Sequence, residues 1–181
     1  MKMLRALRLD PSDTFVFTRA AEPGEWVVPG SGFFVGLALE ELDPKERAAF
    51  RAGFLGTASL GFSTLVEVAE MNAEDEDALV AQFAAGLVEH FGAPSLAVAE
   101  EVAREEIRLA TSLADHPTGT VIAMHRTIEA GAVREQFRTL NWRPEAMKGA
   151  DGLHAFARAF DFVETDEVEE HVDLLDLDGK R

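Results

Sequence analysis

The sequence of 181 residues contains no cysteine. Without a thiol the chain cannot form a disulfide framework, a thiolate metal site or a cysteine nucleophile. Its first residues also lack the apolar run that signal peptides contain, and no later stretch is apolar for long enough to span a bilayer. We therefore expect a soluble, cytoplasmic protein with no membrane partner.

Positive charge is scarce as well. Lys and Arg number 17 against 33 Asp and Glu, which gives a formal net charge of −16 at pH 7. Nucleic acids and anionic membranes attract proteins through a positive field, so this balance argues against both as partners of the bulk surface. We interpret the acidity as a source of solubility.

Motifs for catalysis and metal binding are missing too. The five histidines include no i, i+4 pair and no HExxH motif, and neither Ser63 nor Thr64 lies in a nucleophile elbow. A metal site built from His90, His116 and Glu105 or Glu106 is an alternative, but the spacings that mark metal sites are absent. We expect no metal and no cofactor.

The chain is rich in apolar residues, which make up 47% of the sequence and include 13 Phe. Such a composition favours a globular protein, and the length suits one domain with a substantial core. We predict a domain over residues 1–163 and an acidic tail over 164–181. The tail contains eight Asp or Glu around an apolar island near 171–176, which we expect to dock on the basic hairpin face or on a second copy.

Hydrophobic periodicity and turn residues predict the order of the elements. Asp43, Pro44 and Glu46 indicate a helix start with a capping box, Asn72 and Asp75 a second, and Ser95 a third. Helices are predicted from these positions to about residues 55, 91 and 115, and strands over 4–9, 14–19, 25–28, 32–39, 62–69, 119–142 (as a hairpin) and 153–163. The predicted fold class is α+β, with a largely antiparallel sheet and about three helices packed on one face.

The hairpin over 119–142 can adopt two registers around Gly131. A three-residue loop, 129–131, would place Arg126 opposite Arg134. A four-residue loop ending at Ala132 pairs oppositely charged residues with each other and apolar residues with each other, so we favour it. Its pairs are Ile128 with Val133, Arg126 with Glu135, and Met124 with Phe137, which leaves His125, Arg134, Gln136 and Arg138 on the opposite face.

Glu106 is the most informative single position. On a helical wheel it falls within an apolar arc centred on Val102, which comprises Val98, Ala99, Ala103, Leu109, Ala110 and Leu113. A carboxylate among apolar neighbours is costly unless it is paired or protonated. Glu106 is therefore a candidate catalytic acid or base, with His125 as a second candidate. The alternative is a buried structural ion pair with Arg126 or Arg138.

Arg126, Arg134 and Arg138 make the hairpin the one basic region of the chain. Arginine forks suit carboxylate and phosphate groups, so these residues are candidate ligand-binding residues for a small anion. The alternative is a solvated polar face, or a surface that holds the acidic tail.

Several stretches together resemble a family of small, uncharacterised bacterial proteins of unknown function. The resemblance spans most of the chain and implies no activity, cofactor or site residue. The stretches are LRLDPSDTFVFTRAAEPGEW (7–26), AFRAGFLG (49–56), HPTGTVIAMHRT (116–127), REQFRTL (134–140) and EEHVDLL (169–175).

Two functions follow from these observations. We expect a non-enzymatic accessory or partner-binding protein, which acts on a protein partner or forms a homo-oligomer. The alternative is an anion-binding protein or enzyme with a pocket between the helix over 95–115 and the hairpin over 119–142. Whether the protein is an enzyme stays open at this stage.

Overall fold

The structure is a computed structural model that describes residues 1–34, 38, 40–142 and 160–162. It confirms the α+β fold class. The strands are β1 (Lys2–Leu7), β2 (Val27–Val28), β3 (Phe54–Gly56), β4 (Phe62–Ser63), β5 (Leu65–Glu70), β6 (Val121–Glu129), β7 (Ala132–Trp142) and β8 (Phe160–Phe162). The helices are α1 (Ser12–Val16), α2 (Pro44–Ala52), α3 (Glu76–Phe91) and α4 (Leu96–Leu113), with 3-10 turns at Ser31–Phe34 and Ala73–Asp75.

The strands form two antiparallel sheets. The larger sheet has the order β1-β5-β6-β7-β8 and the smaller the order β2-β3-β4. β8 is the described part of the strand predicted over 153–163. The rest of that strand and the tail over 164–181, with its docking island, lie outside the described residues, and the division into domain and tail stays a prediction.

The main core lies between the larger sheet and the pair α3–α4. Alternate residues of β1, β5 and β6 face this core, as the strand period requires. Helix α4 packs on α3 and on β1 mainly through small side chains, because Ala99, Ala103 and Ala110 let the helix approach closely. The apolar arc predicted around Val102 is therefore rotated in the structure: Val98 and Val102 are 42% and 40% exposed.

The hairpin has the predicted register, since Arg126 lies opposite Glu135 and Met124 opposite Phe137. The loop is shorter than predicted, because Glu129 pairs with Ala132 and only two residues remain between the strands. These are Ala130 and Gly131, with φ of 53° and 86°. Positive φ at both positions is typical of a type I′ turn, whose twist matches that of the flanking strands.

The strand predicted over 14–19 is wrong, since residues 12–16 form α1. The Asp13 carboxylate is buried and accepts hydrogen bonds from the Thr64 backbone N–H at 3.2 Å and from Thr64 Oγ1 at 2.6 Å. These long-range bonds turn the chain out of an extended path. As a result Phe15 is 73% exposed while Phe17 is buried, so the two do not share a face.

Three other predictions also need correction. The strand predicted over 32–39 begins instead with the 3-10 turn Ser31–Phe34. The second helix begins at Glu76 after the 3-10 turn Ala73–Asp75, so Asn72 is not its cap. The first helix ends at Ala52, not near residue 55, because Phe54–Gly56 pairs with β2 and β4.

The capping box of α2 is confirmed and generates a stability prediction. Asp43 Oδ1 accepts hydrogen bonds from the N–H groups of Lys45 (2.7 Å) and Glu46 (2.8 Å). Asp43→Ala should lower the free energy of unfolding by about 1 kcal/mol, because both donors lose their acceptor. Asp43→Asn keeps a capping oxygen and should stay close to the wild type in the same urea titration. Equal losses in both variants would contradict the capping role.

Candidate functional site

Arg126 lies on the core face of β6, two residues beyond the buried Met124, and is itself only 1% exposed. Its five N–H donors all point at acceptors within the protein. The acceptors are Oε1 of Glu135, the carbonyl oxygens of Phe50 (3.0 Å), Gly53 (3.2 Å) and Pro29, and Oγ of Ser31 (3.5 Å).

This guanidinium therefore joins three parts of the fold. It connects the hairpin to the C-terminal end of α2 and to the loop that begins at Pro29. The ring centroid of Phe34 lies 5.5 Å from its central carbon, within the range of a cation–π contact. Ser31 Oγ also donates to Glu135, so the loop bonds both members of the ion pair.

Glu106, on α4, lies near Arg126 and Glu135. Its Oε2 accepts a hydrogen bond from the Gly30 N–H at 2.9 Å, and a Cβ on Gly32 would lie 3.4 Å from its Oε1. The residue is 9% exposed, which confirms that it is buried. We call Arg126, Glu135, Glu106 and Ser31 the buried charge cluster.

The cluster contains two carboxylates for one cation, and this imbalance acts on Glu106. Burial raises the pKa of Glu106 above its ordinary value of 4.5, and the nearby charge of Glu135 raises it further. The Gly30 hydrogen bond and the charge of Arg126 act in the opposite direction without overcoming burial. The direct salt bridge expected between Glu106 and Arg126 is made instead by Glu135, which lies opposite Arg126 in the hairpin.

The three arginines predicted to bind a ligand lie on opposite faces of the sheet. Arg126 faces the core, whereas Arg134 and Arg138 are exposed on the other face together with His125. Arg134 Nε lies 2.9 Å from Glu129 Oε2 in an exposed ion pair. The ligand-binding role of these three arginines, and catalysis by Glu106 or His125, stay predictions.

Two open grooves lie on either side of α2, and sequence reasoning did not identify them. The α1–α2 groove has a volume of about 620 Å³ and the α2–β6 groove about 440 Å³. The first is lined by Ser12, Val16, Phe17, Pro44, Arg47, Ala48, Arg51, Ala52 and Thr64. The second is lined by Arg47, Phe50, Arg51, His125, Arg126, Thr127 and Ile128.

Arg47 and Arg51 line both grooves, and we call this exposed pair the arginine ridge. They lie one helical turn apart on α2, and neither forms a salt bridge with another described residue. The signal in the sequence was an RxxxR spacing on a well-capped helix. The position of the arginine ridge beside β6 depends on long-range contacts that cannot be predicted from the sequence pattern.

The pocket predicted between the helix over 95–115 and the hairpin does not coincide with either groove, since no residue of α4 lines them. Of the alternative metal ligands, His90 and Glu105 are exposed while Glu106 is buried. Within the described residues no group of three or more His, Asp or Glu is arranged to hold a metal ion. No described helix has the length and apolarity needed to cross a membrane.

Arg126→Met should lower the free energy of unfolding by about 3–5 kcal/mol, because it leaves the largely buried Glu135 carboxylate and three carbonyl oxygens without their donor. The matched control is Arg138→Met in the paired strand, which removes an exposed arginine and should change stability by about 0.5 kcal/mol or less. Urea denaturation measures both. Similar losses in the two variants would argue against a central role of Arg126.

Glu106→Gln should change how stability depends on pH. Because the folded-state pKa of Glu106 is raised, its ionisation costs stability progressively as the pH rises from 4.5 through the raised value. Glutamine keeps an acceptor for the Gly30 N–H but cannot ionise. We expect its melting temperature to exceed that of the wild type above the raised pKa, and the advantage to shrink as the pH falls towards about 4. Glu105→Gln, at the exposed neighbouring position, should show no such pH-dependent gain.

Comparison with known proteins assigns the chain to a family but does not indicate an activity. No curated protein and no solved structure matches the chain. The model of one family matches residues 1–167, which include every strand and helix described above. The family's description is a family of unknown function, in agreement with the resemblance found in the sequence. The chain therefore belongs to the DUF6505 family.

Proposed function

We propose that this protein is a non-enzymatic partner-binding protein that binds an acidic segment of another protein at the arginine ridge. The observation that supports this most directly is the exposure of Arg47 and Arg51 between two open grooves. Guanidinium groups bind carboxylates through paired N–H donors, so two of them one turn apart suit neighbouring Asp or Glu residues.

The surroundings of the ridge suit a protein segment. Val16 and Ile128 are partly exposed where they line the two grooves, and Phe15 lies beside Val16 in the chain. A segment that presents both acidic and apolar side chains would gain ion pairs at the ridge and hydrophobic contacts beside it. Open grooves leave most of a small ligand in water, whereas known small-molecule sites enclose most of the ligand surface.

The buried charge cluster supports a structural role for the groups that were candidates for chemistry. All five donors of Arg126 are used inside the protein, so this guanidinium has none left for a ligand. Glu106 accepts a bond from the backbone of Gly30 and lines neither groove. Among the described candidate residues, those of the ridge and of the hairpin face are exposed and open to a partner.

The net charge of −16 limits which anions reach the ridge. A long polyanion such as a nucleic acid would meet the negative field of the whole molecule, whereas a short acidic segment needs only the local positive surface. Binding at the ridge should weaken with added salt, since exposed charges are screened over roughly 8–10 Å at ordinary ionic strength.

A small carboxylate or phosphate ligand is the second candidate. The observation that favours it is the presence of His125 together with Arg47 and Arg51 around the α2–β6 groove of about 440 Å³. Citrate or inorganic phosphate would then raise the melting temperature of the wild type but not of a ridge variant.

The partner-binding proposal predicts that Arg47→Glu/Arg51→Glu loses its protein partners. The tagged full-length protein would be expressed in its own cells, crosslinked and purified, and the bound proteins quantified by mass spectrometry. The matched control is Lys45→Glu/Arg108→Glu, which makes the same charge change at exposed positions outside both grooves.

We expect one or more proteins with acidic segments to be enriched with the wild type and the control and depleted at least about tenfold with the ridge variant, because that variant loses two ion pairs and places two carboxylates against an acidic segment. The isolated partner should then bind the purified wild type with the same dependence on Arg47 and Arg51. If no bound protein depends on the ridge, the proposed function is wrong.

A further inference from the structure

The arginine ridge and the grooves beside it suit a peptide segment that contains both acidic and apolar residues. Beside Arg47 and Arg51, the α1–α2 groove presents the side chains of Val16, Ala48 and Ala52. On the other side of the helix, the 44% exposed Ile128 lines the α2–β6 groove. Acidic residues alone would leave this apolar surface in water, so the best fit is a segment in which the two kinds of residue are mixed.

One segment of this chain has that composition. Residues 164–181 contain eight Asp or Glu against Lys180 and Arg181, and leucines at 174, 175 and 177 alternate with aspartates at 173, 176 and 178. We propose that this C-terminal segment occupies the arginine ridge of its own chain, so that a partner must displace it in order to bind. The displacement rests on the partner-binding function proposed above, whereas the occupancy does not.

Tethering favours this occupant over a free one. The segment follows β8, which ends at Phe162, and 19 residues of extended chain reach up to about 60 Å. A tether of this length gives the attached segment an effective concentration of about millimolar. A surface with weak affinity for acidic, apolar peptides is therefore filled first by the segment attached to it.

The ridge is a better binding surface for this segment than the basic face of the hairpin. On the hairpin face, Arg134 already pairs with Glu129, so its charge is partly compensated. The neighbouring His125, Gln136 and Arg138 are exposed polar residues that offer leucine side chains little apolar surface. The ridge combines two arginines that have no salt bridge within the described residues with an exposed apolar side chain in each groove, Val16 in one and Ile128 in the other.

The occupancy can be tested on the full-length chain by paramagnetic relaxation. Because the protein has no cysteine, Gly179→Cys introduces a single attachment site for a nitroxide label without removing an acidic residue of the segment. We expect the amide signals of residues 45–52 and 125–128 to lose most of their intensity, and to recover it when the label is reduced. The broadening should disappear in Arg47→Glu/Arg51→Glu and persist in Lys45→Glu/Arg108→Glu.

Three results would overturn the inference. The first is broadening centred on Arg134 and Arg138, which would place the segment on the hairpin face. The second is broadening only in a mixture of isotope-labelled and spin-labelled molecules, which would assign the occupant to a second copy. The third is no selective broadening.

The experiment also separates this inference from the proposed function. A negative relaxation result together with partners that depend on the ridge would remove only the self-occupancy. Selective broadening at the ridge without any such partner would leave the ridge as a binding surface for the chain's own segment and would remove the partner-binding function.

Discussion

The rest of the structure depends on the burial of one guanidinium. Transferring a charge from water into a protein core is costly unless the charge is paired and every donor is satisfied. Arg126 meets this condition only when the hairpin supplies Glu135, the segment at the C-terminal end of α2 supplies two carbonyl groups and the loop after Val28 supplies Pro29 and Ser31. Three separate segments must therefore take up their places together. The same bonds hold the C-terminal end of α2 against β6, and so fix where the arginine ridge lies.

Much of the fold could be predicted because its signals are local. The register of the hairpin followed from matching charge and apolarity across the strands, and it correctly placed Arg126 opposite Glu135. The caps at Asp43 and Ser95 were likewise visible as short patterns. The burial of Glu106 followed from its position within the apolar arc of a helix, although that arc proved to be rotated away from Val102.

The predictions that were wrong or incomplete share a different physical cause, which is hydrogen bonding between residues far apart in the sequence. The segment around Phe15 alternates as a strand would, but Asp13 bonds to Thr64 across about fifty positions and bends the chain. The hydrogen-bond partner of Glu106 is the backbone N–H of Gly30, 76 positions away. Because a backbone N–H is present at almost every residue, the pattern of side chains in the sequence cannot predict this donor. The ridge was missed for a similar reason, since neither groove exists until α2 lies beside α1 and β6.

The long sequence separations within the buried charge cluster have a consequence for the order of folding. Arg126 bonds to Pro29 across 97 positions and to Phe50 across 76, so each bond closes a large loop whose entropy must be offset before the contact stabilises anything. A chain emerging from the ribosome at about 5–20 residues per second cannot complete this cluster until Glu135 has left the exit tunnel. Until then the carbonyl groups at the end of α2 and around Pro29 remain open to water or to a chaperone.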